Sequence, residues 1–470
     1  MKKFSAIFTT IIAGLAIMIC GVSINTFGLS NNSDFTVADA SDILWTDNSV
    51  LGSTTFANEA DADAGLVSNP FQIATPFQLA LVAKRSNAGL TYTAGGDTYY
   101  YSDSYYKITA NIDLGAYQWV PIGTESQPFT GRFDGTSSSF SISNLTRTYV
   151  NTTDSNTLYY GLFGYVNCNT AKTKILNISL LKPNISITTN TGQDLYIGAM
   201  VGYITYFSNA SLGYLYVGQG SNNSGEINVS ATSSTSSCYI GGLVGYSNIN
   251  IDGISTNYYC YSNVAITYSG EDIATLYIGE VAGYSALEAK YIQAEGSIES
   301  QYGTIGGVIG YLVGASTTMI SSTTLTIGSV SNNVNTLFAG GIVGNFAPLS
   351  ATAIQKATYS GTITAQNYNV GGVVGQTNIN CSIASSKTTS ASFNLSNYSA
   401  SNTSSIGGIV AVNYGNVQAC QNNGNFIKSG GSAIIDRQII VGGIAGTNLG
   451  LAATLYNNQN YGEIGADVRA

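Results

Sequence analysis

One short arrangement of apolar and glycine positions recurs along the second two-thirds of the chain: an aliphatic residue, Gly, a small residue, two aliphatic residues and Gly. It is plainest at 239–246 (YIGGLVGY). It returns as IGAMVG at 197–202, IGEVAG at 278–283, IGGVIG at 305–310, AGGIVG at 339–344, VGGVVG at 370–375, IGGIVA at 406–411 and VGGIAG at 441–446, with a divergent first copy, YGLFG, at 160–164. The copies end 27 to 43 residues apart, about 35 on average. Self-similarity at this period marks a repeat architecture, in which each unit buries its apolar face only against its neighbours. After most copies comes a polar turn and then a short alternating segment, predicting strands at 175–181, 226–230, 264–268, 296–299, 361–364 and 462–465. Asn and Gly punctuate them, as in Asn422-Asn423-Gly424-Asn425, because both tolerate left-handed backbone. The expectation is a stack of parallel coils, with surplus length bulging out, most of all at 203–225 and 247–262. If the glycine phrase is one strand, Gly241, Leu243 and Gly245 share a face and Gly242 and Val244 share the other. Apolar residues at both 243 and 244 then predict cover on both faces. Glu280, in place of the second glycine of one copy, predicts that this position meets solvent.

The N-terminal part reads differently. Residues 41–70 are small and polar, with Asp42, Asp47, Glu59, Asp61 and Asp63 scattered among them, which predicts an irregular lead-in with one short strand. A helix is predicted over 75–87. Thr75 suits the N-cap, Pro76 the first helical position, and Phe77, Leu79, Ala80, Leu81 and Ala83 supply an apolar surface before Asn87 and Gly89 end it. Its expected place is over the open end of the stack, where a bare first coil would leave strand edges unpaired. The segments 99–108 and 140–145 read as further strands. The chain thus divides into a leader (1–40), an N-terminal cap region (41–115) and a repeat β-solenoid (116–470).

The helix TPFQLALVAKRSNAG is followed in order by NIDLG, WVPIG, PFTGRFDG and YYGLFGYV, and then by the IGGLVGY copies. From about Phe71 onward this order resembles bacterial surface proteins that carry GLUG-motif repeats. The resemblance implies an all-β fold, a right-handed parallel β-helix with a short N-terminal helical cap, in secreted, adhesin-like proteins. It extends to segments found beside immunoglobulin A peptidases, as an accessory stalk and not the peptidase itself. No LPxTG-like tail accompanies it here, so the route of surface attachment stays open.

Composition narrows the class. Only 9% of residues are charged, while Gly numbers 54 and Tyr 33 and Pro only 6. Abundant β-branched residues and Tyr argue against disorder, and beyond the N-terminus no apolar run is long enough to span a membrane. The net charge is −9, with no basic patch, which excludes nucleic acid as a partner because phosphate neutralisation needs clustered Lys and Arg. Lys2 and Lys3 precede an uncharged, mostly apolar run from Phe4 to Val22, and Ala38-Asp39-Ala40 offers a small-x-small cleavage site. This is an export signal by pattern, with a retained membrane anchor as the alternative, and it places the protein outside the cell or on its surface. Ile19 is too bulky for lipid attachment at Cys20. Without the leader five cysteines remain, Cys168, Cys238, Cys260, Cys381 and Cys420; an odd count at irregular spacing is no disulfide framework. Cys381 and Cys420 are expected to stack in neighbouring coils as small buried hydrophobes.

Candidate chemistry is sparse. The chain has no His, so Ser-His-Asp and Cys-His systems are excluded within it, and a zinc site has neither His nor a CxxC pair. Among carboxylates, Asp113 and Asp134 are the best pair for glycoside chemistry, though each sits where a turn carboxylate accepting backbone N–H bonds suffices. Glu280, Glu288, Glu295 and Glu299 cluster with Lys290 as their only base and read as a solvated face. Neither the calcium nonapeptide nor an EF-hand loop occurs. No catalytic, cofactor or metal residue is therefore assigned, and no cofactor is expected. Tyrosines crowd 99–106 (Tyr99, Tyr100, Tyr101, Tyr105, Tyr106) and 258–261 (Tyr258, Tyr259, Tyr261). Exposed, they offer adaptable contact area for glycans or for host or matrix proteins; the simpler reading is that Tyr stacks between coils as a strand former. The expected function is a non-enzymatic adhesin, spacer or binding scaffold. The alternative is a carbohydrate-active β-helix enzyme, a polysaccharide lyase or hydrolase. Self-association through the C-terminal coil is a further expectation.

Overall fold

The computed structural model describes residues 43–463 apart from 137–139, 152, 154–155, 169–172, 206–210, 221, 233, 254–258, 329–336, 396–403, 429–438 and 452. The leader with Cys20 and residues 38–40, Asp42, Tyr258 and the end of the expected strand at 462–465 lie outside the described residues.

The described chain is almost wholly β, and its strands stack into parallel sheets in a solenoid-like arrangement. One turn shows the plan. Strand Gly225–Ala231 lies in sheet II, Ser237–Gly241 in sheet III and Val244–Ser247 in sheet IV. Asn250–Asp252 and Cys260–Ser262 follow in sheet I, and Val264–Tyr268 returns to sheet II beside Gly225–Ala231. Among the described residues sheets II, III and IV hold nine strands each and sheet I twenty-one. The glycine phrases align as one column. Ile197, Ile240, Ile278, Ile305, Ala339, Val370, Ile406 and Val441 are successive in-register neighbours in sheet III. Length variation falls between strands, so the expected bulges at 203–225 and 247–262 contain strands of the stack, Ser211–Gly213, Tyr216–Val217, Asn250–Asp252 and Cys260–Ser262.

The phrase is a corner and not one strand. Sheet III ends at Gly241, Gly242 and Leu243 turn, and sheet IV begins at Val244. Leu243 and Val244 are both buried because the chain bends inward between them. A Cβ on Gly241 would lie 2.1 Å from the carbonyl oxygen of Val244, so the bend closes only on glycine. A Cβ on Gly245 would lie 2.6 Å from both Gly202 O and Ile197 N, so sheet IV can approach the sheet III backbone only where the side chain is missing.

The third position of the phrase faces inward, and the expectation that Glu280 meets solvent is corrected. Cβ atoms on Gly242, Gly307, Gly341 and Gly408 would strike Ser262, Ser321, Tyr359 and Asn422, side chains of one interior column. Glu280 is fully buried there. It fits because the column runs Ser262, Ala294, Ser321, and the member nearest in sequence is the small Ala294. Its Oε1 accepts from Ser262 Oγ at 3.0 Å and Val264 N at 2.6 Å.

A second corner divides sheet I. Asn177, Tyr214, Tyr291, Thr318, Lys356, Ser385, Ala419 and Asn457 all hold φ between 50° and 59°; six lie between two sheet I strands, and Tyr291 and Thr318 lie within Ala289–Ala294 and Ser316–Ser321. The expected strand at 175–181 is broken here, into Lys174–Leu176 and Ser179–Leu181.

At the N-terminal end the helix runs from Pro76 to Asn87, with Thr75 accepting from Gln78 N and the Gln78 side chain accepting from Ala74 N. Leu79–Ala83 are buried, in one core with Phe71, Tyr101 and Tyr106. The lead-in holds a short helix, Asn48–Leu51, in place of the expected strand. The segment 99–108 is divided by a turn at Tyr101–Asp103 into Asp97–Tyr100, the second strand of a small hairpin, and Tyr105–Ile108 in sheet I. No helix among the described residues is long and apolar enough to cross a membrane.

Candidate functional site: a tyrosine face and the cleft at its head

In sheet III the residue before the column aliphatic points away from the core, and in sheet IV the residue after the phrase's last glycine does the same. In the first coils both are tyrosine. Tyr159, Tyr196, Tyr239 and Tyr277 are register neighbours in sheet III, and Tyr165, Tyr203, Tyr246, Tyr284 and Tyr311 are register neighbours in sheet IV. All nine are half-buried.

Strand spacing decides how the rings meet, because neighbouring strands lie about 4.8 Å apart, close to ring-stacking distance. Along the columns several rings lie nearly parallel, Tyr196–Tyr239 at 5.0 Å and 13°, Tyr203–Tyr246 at 5.1 Å and 19° and Tyr246–Tyr284 at 4.3 Å and 6°, whereas Tyr165–Tyr203 are tilted at 33° and Tyr239–Tyr277 meet edge to face at 5.7 Å and 72°. Across the corner the first coils meet edge to face, as in Tyr159–Tyr165 at 5.0 Å and 82° and Tyr239–Tyr246 at 5.1 Å and 89°, while Tyr277 stacks on Tyr311 at 4.7 Å and 23°. Where the rings stack, their faces cover one another, and each residue stays half-exposed. Burial pushes these hydroxyls above the usual phenol range, and at Tyr277 the neighbouring phenols add to it, to about 12. They stay neutral donors at physiological pH. Beyond Tyr311 the sheet IV column continues as Asn345 and Gln376.

The sheet III column has a free head. Leu158–Tyr160 is the first strand of its sheet, whereas Ile122 and Phe129 bridge onto sheet IV one coil earlier. Where a preceding sheet III strand would lie there is a cleft of about 680 Å³, lined among others by Pro121, Glu125, Ser126, Thr157, Leu158 and Tyr159. Glu125 is exposed. Its carboxylate shares the cleft lining with Tyr159, and after burial its charge is among the causes that raise the Tyr159, Tyr165 and Tyr203 phenols.

The carboxylates singled out from the sequence are not brought together as a pair. Asp113 Oδ1 accepts from Asn144 Nδ2 at 2.8 Å and Gly115 N at 2.9 Å, and these bonds hold its carboxyl below the usual range. Asp134 Oδ1 accepts from Thr136 N and Asn177 Nδ2, both at 2.9 Å, and its Oδ2 pairs with Arg132 at 3.2 Å. Burial opposes these contacts, yet its carboxyl is also lowered. Asp113 and Asp134 lie on opposite sides of the sheet I corner, in different register columns. Asp134 does line a second cleft, of about 390 Å³, with Arg132, Lys107 and Tyr105.

Lys290 pairs with Glu288 at 3.1 Å and with Asp252 of the preceding coil at 3.6 Å, a partner that sequence proximity does not reveal. Glu299 is exposed, and so is Glu295, which accepts from the Tyr261 hydroxyl at 2.6 Å. Of the tyrosines singled out, Tyr101, Tyr106 and Tyr261 are buried, Tyr99, Tyr105 and Tyr259 are half-buried and Tyr100 is exposed. All five described cysteines are buried free thiols. Cys381 and Cys420 lie in successive coils but in different columns: Cys381 is in register with Thr352, while Cys420 follows the strand Asn416–Gln418. Among the described residues no group of three or more acidic, Cys or His side chains clusters to hold a metal.

No family model matches the chain, and no curated protein matches it. Among solved structures the chain is similar to one described as a "putative immunoglobulin A1 protease from Bacteroides ovatus", at 16% identity and a TM-score of 0.31, over 84% of this chain and 85% of that one.

Proposed function

We propose that this chain is a right-handed parallel β-helix of the GLUG-repeat type, exported to the cell surface or beyond, and that it works without catalysis as an adhesin-like binding scaffold. The observation that carries this reading is the double column of nine half-buried tyrosines. It is a continuous, neutral, hydrogen-bonding face extending over five coils on a rigid support. Such a face gives amphipathic contact area at low conformational-entropy cost, and its partners are glycans or host or matrix proteins. The engagement of Asp113 and Asp134 in turns, with carboxyls held low, supports a structural role for both, since a general acid needs a raised one.

The test is a glycan and matrix-protein array with the purified chain, scored for retention and for product release. Retention without turnover is expected, and a tenfold or greater loss in a Tyr203→Ala/Tyr246→Ala double variant. Equal retention by that variant removes the tyrosine face from the function. The second reading, a carbohydrate-active enzyme, is favoured by the cleft that sets Asp134 beside Arg132, Lys107 and Tyr105. Polysaccharide cleavage that is lost in Asp134→Asn would establish it.

A further inference from the structure

We infer that the cleft at the head of the tyrosine column is a binding site for a neutral pyranose, the sugar ring taking the place of the missing next ring of the stack. The inference deepens the scaffold reading and rests on it. Every tyrosine between the column ends has a ring neighbour before and after it in register; Tyr159 has Tyr196 on one side, at 5.2 Å and 18°, and the cleft on the other. Its outward ring face is thus the one platform in this column open to a flat partner at the N-terminal end. A pyranose has an apolar face of C–H groups that packs on such a ring and a rim of hydroxyls that needs hydrogen bonds.

The cleft supplies both kinds of contact. Leu158, Pro121 and Tyr159 give apolar surface, and Ser126, Thr157 and the Glu125 carboxylate stand on its polar side. Glu125 is the only charged group in the lining and makes no ion pair among the described residues. An ionised carboxylate accepts hydrogen bonds from sugar hydroxyls and repels uronates and sulfated sugars. Charge therefore selects neutral residues over acidic ones, and an aromatic platform with a few placed polar groups is the usual make-up of a small-ligand site.

The experiment is isothermal titration of the full chain with cellohexaose, with chitohexaose and with hexagalacturonate, together with Tyr159→Ala, Tyr159→Phe, Glu125→Gln and Tyr456→Ala variants. The expected result is binding of at least one neutral hexasaccharide and none of the uronate. Tyr159→Ala should lose at least tenfold in affinity, Tyr159→Phe should bind nearly as the parent does, and Glu125→Gln should lose a few-fold. Tyr456→Ala, an exposed tyrosine in sheet I outside both the tyrosine face and the cleft, should leave binding unchanged. A cooperative melt of Tyr159→Ala with a parent-like circular dichroism spectrum excludes misfolding as the cause of its loss, and retained binding by Tyr159→Phe assigns the loss to the ring. Undiminished binding by Tyr159→Ala, or binding of the uronate equal to that of the neutral sugars, overturns the cleft assignment and leaves the scaffold reading standing. Failure of the parent chain to bind either neutral sugar overturns the assignment too, and the array result then decides the scaffold reading separately.

Discussion

At the residue scale the most exacting position is Glu280. A carboxylate in a dry interior is tolerated only when paired, hydrogen-bonded or neutral. Oε1 has two donors, Ser262 Oγ and Val264 N, while Oε2 has no partner. Burial drives its carboxyl well above the usual range, and the two hydrogen bonds only partly oppose this. Because the folded-state value lies above the unfolded one, folding takes up a proton between the two. Stability is then greatest below the unfolded value and falls as pH rises through the window up to the folded value. Glu280→Gln keeps the shape and removes the titration. Thermal midpoints of the two proteins should converge toward pH 4 and separate at pH 8, with the Gln variant melting several degrees higher. A gap that does not depend on pH would show that the carboxylate does not titrate in this range. The sequence shows Glu280 as the odd member of its column; it does not show that Ala294, a residue on the far side of the coil, leaves the space for it.

At the element scale the coil turns on two devices, one legible in the sequence and one not. The glycine phrase announces itself by repetition, and so the register of sheets III and IV could be read directly. Its geometry could not. Alternation treats 240–245 as one strand, whereas the clash between a Gly241 Cβ and Val244 O is a property of the folded corner. The left-handed corner in sheet I is nearly silent. Asn177 and Asn457 suit it, but Tyr214, Tyr291, Thr318, Lys356, Ser385 and Ala419 occupy it against their backbone preference, held by the in-register strands on either side. The tyrosine columns are an intermediate case. The pattern of Tyr before Ile-Gly and Tyr after the last Gly is present in the sequence at 196, 203, 239, 246, 277 and 284, but attention falls first on the denser clusters at 99–106 and 258–261, where burial claims several of the rings. The strain at the left-handed corner makes a prediction. Thr318 is β-branched, half-buried and at φ 57°, where an L side chain costs roughly 1–2 kcal/mol. Glycine gives back part of that gain as unfolded-chain entropy. Thr318→Gly should therefore stabilise by about 0.5–1 kcal/mol, read from the denaturant midpoint at unchanged slope. A loss of stability would show that the Thr318 side chain contributes more than its backbone costs.

At the scale of the whole molecule, the column of phrases makes stability close to a sum over coils and over the interfaces between successive coils. Such a stack should tolerate loss of one complete coil and not of part of one. Deleting residues 345–375 joins Gly344 to Gln376, which is the in-register successor of Asn345 in sheet IV. The excised stretch carries one full set of strands, Thr352–Gln355, Thr358–Tyr359, Thr362–Gln366 and Asn369–Gly371, with the first half of Val374–Thr377; the residue pattern of that last strand is restored across the join by Val343-Gly344. The rungs on either side then meet with Ala339 opposite Ile406, the neighbours of Val370 on its two sides. The product should remain a folded β protein with a cooperative transition, a lowered melting temperature and a long dimension shorter by about 4.8 Å, one strand spacing, as measured by circular dichroism and small-angle scattering. Deleting only 352–366 removes the sheet I and sheet II strands while keeping those of sheets III and IV, and this variant should fail to fold. If both deletions unfold the protein alike, the coils do not act as interchangeable units. If both fold alike, register across the sheets is not what holds the stack together.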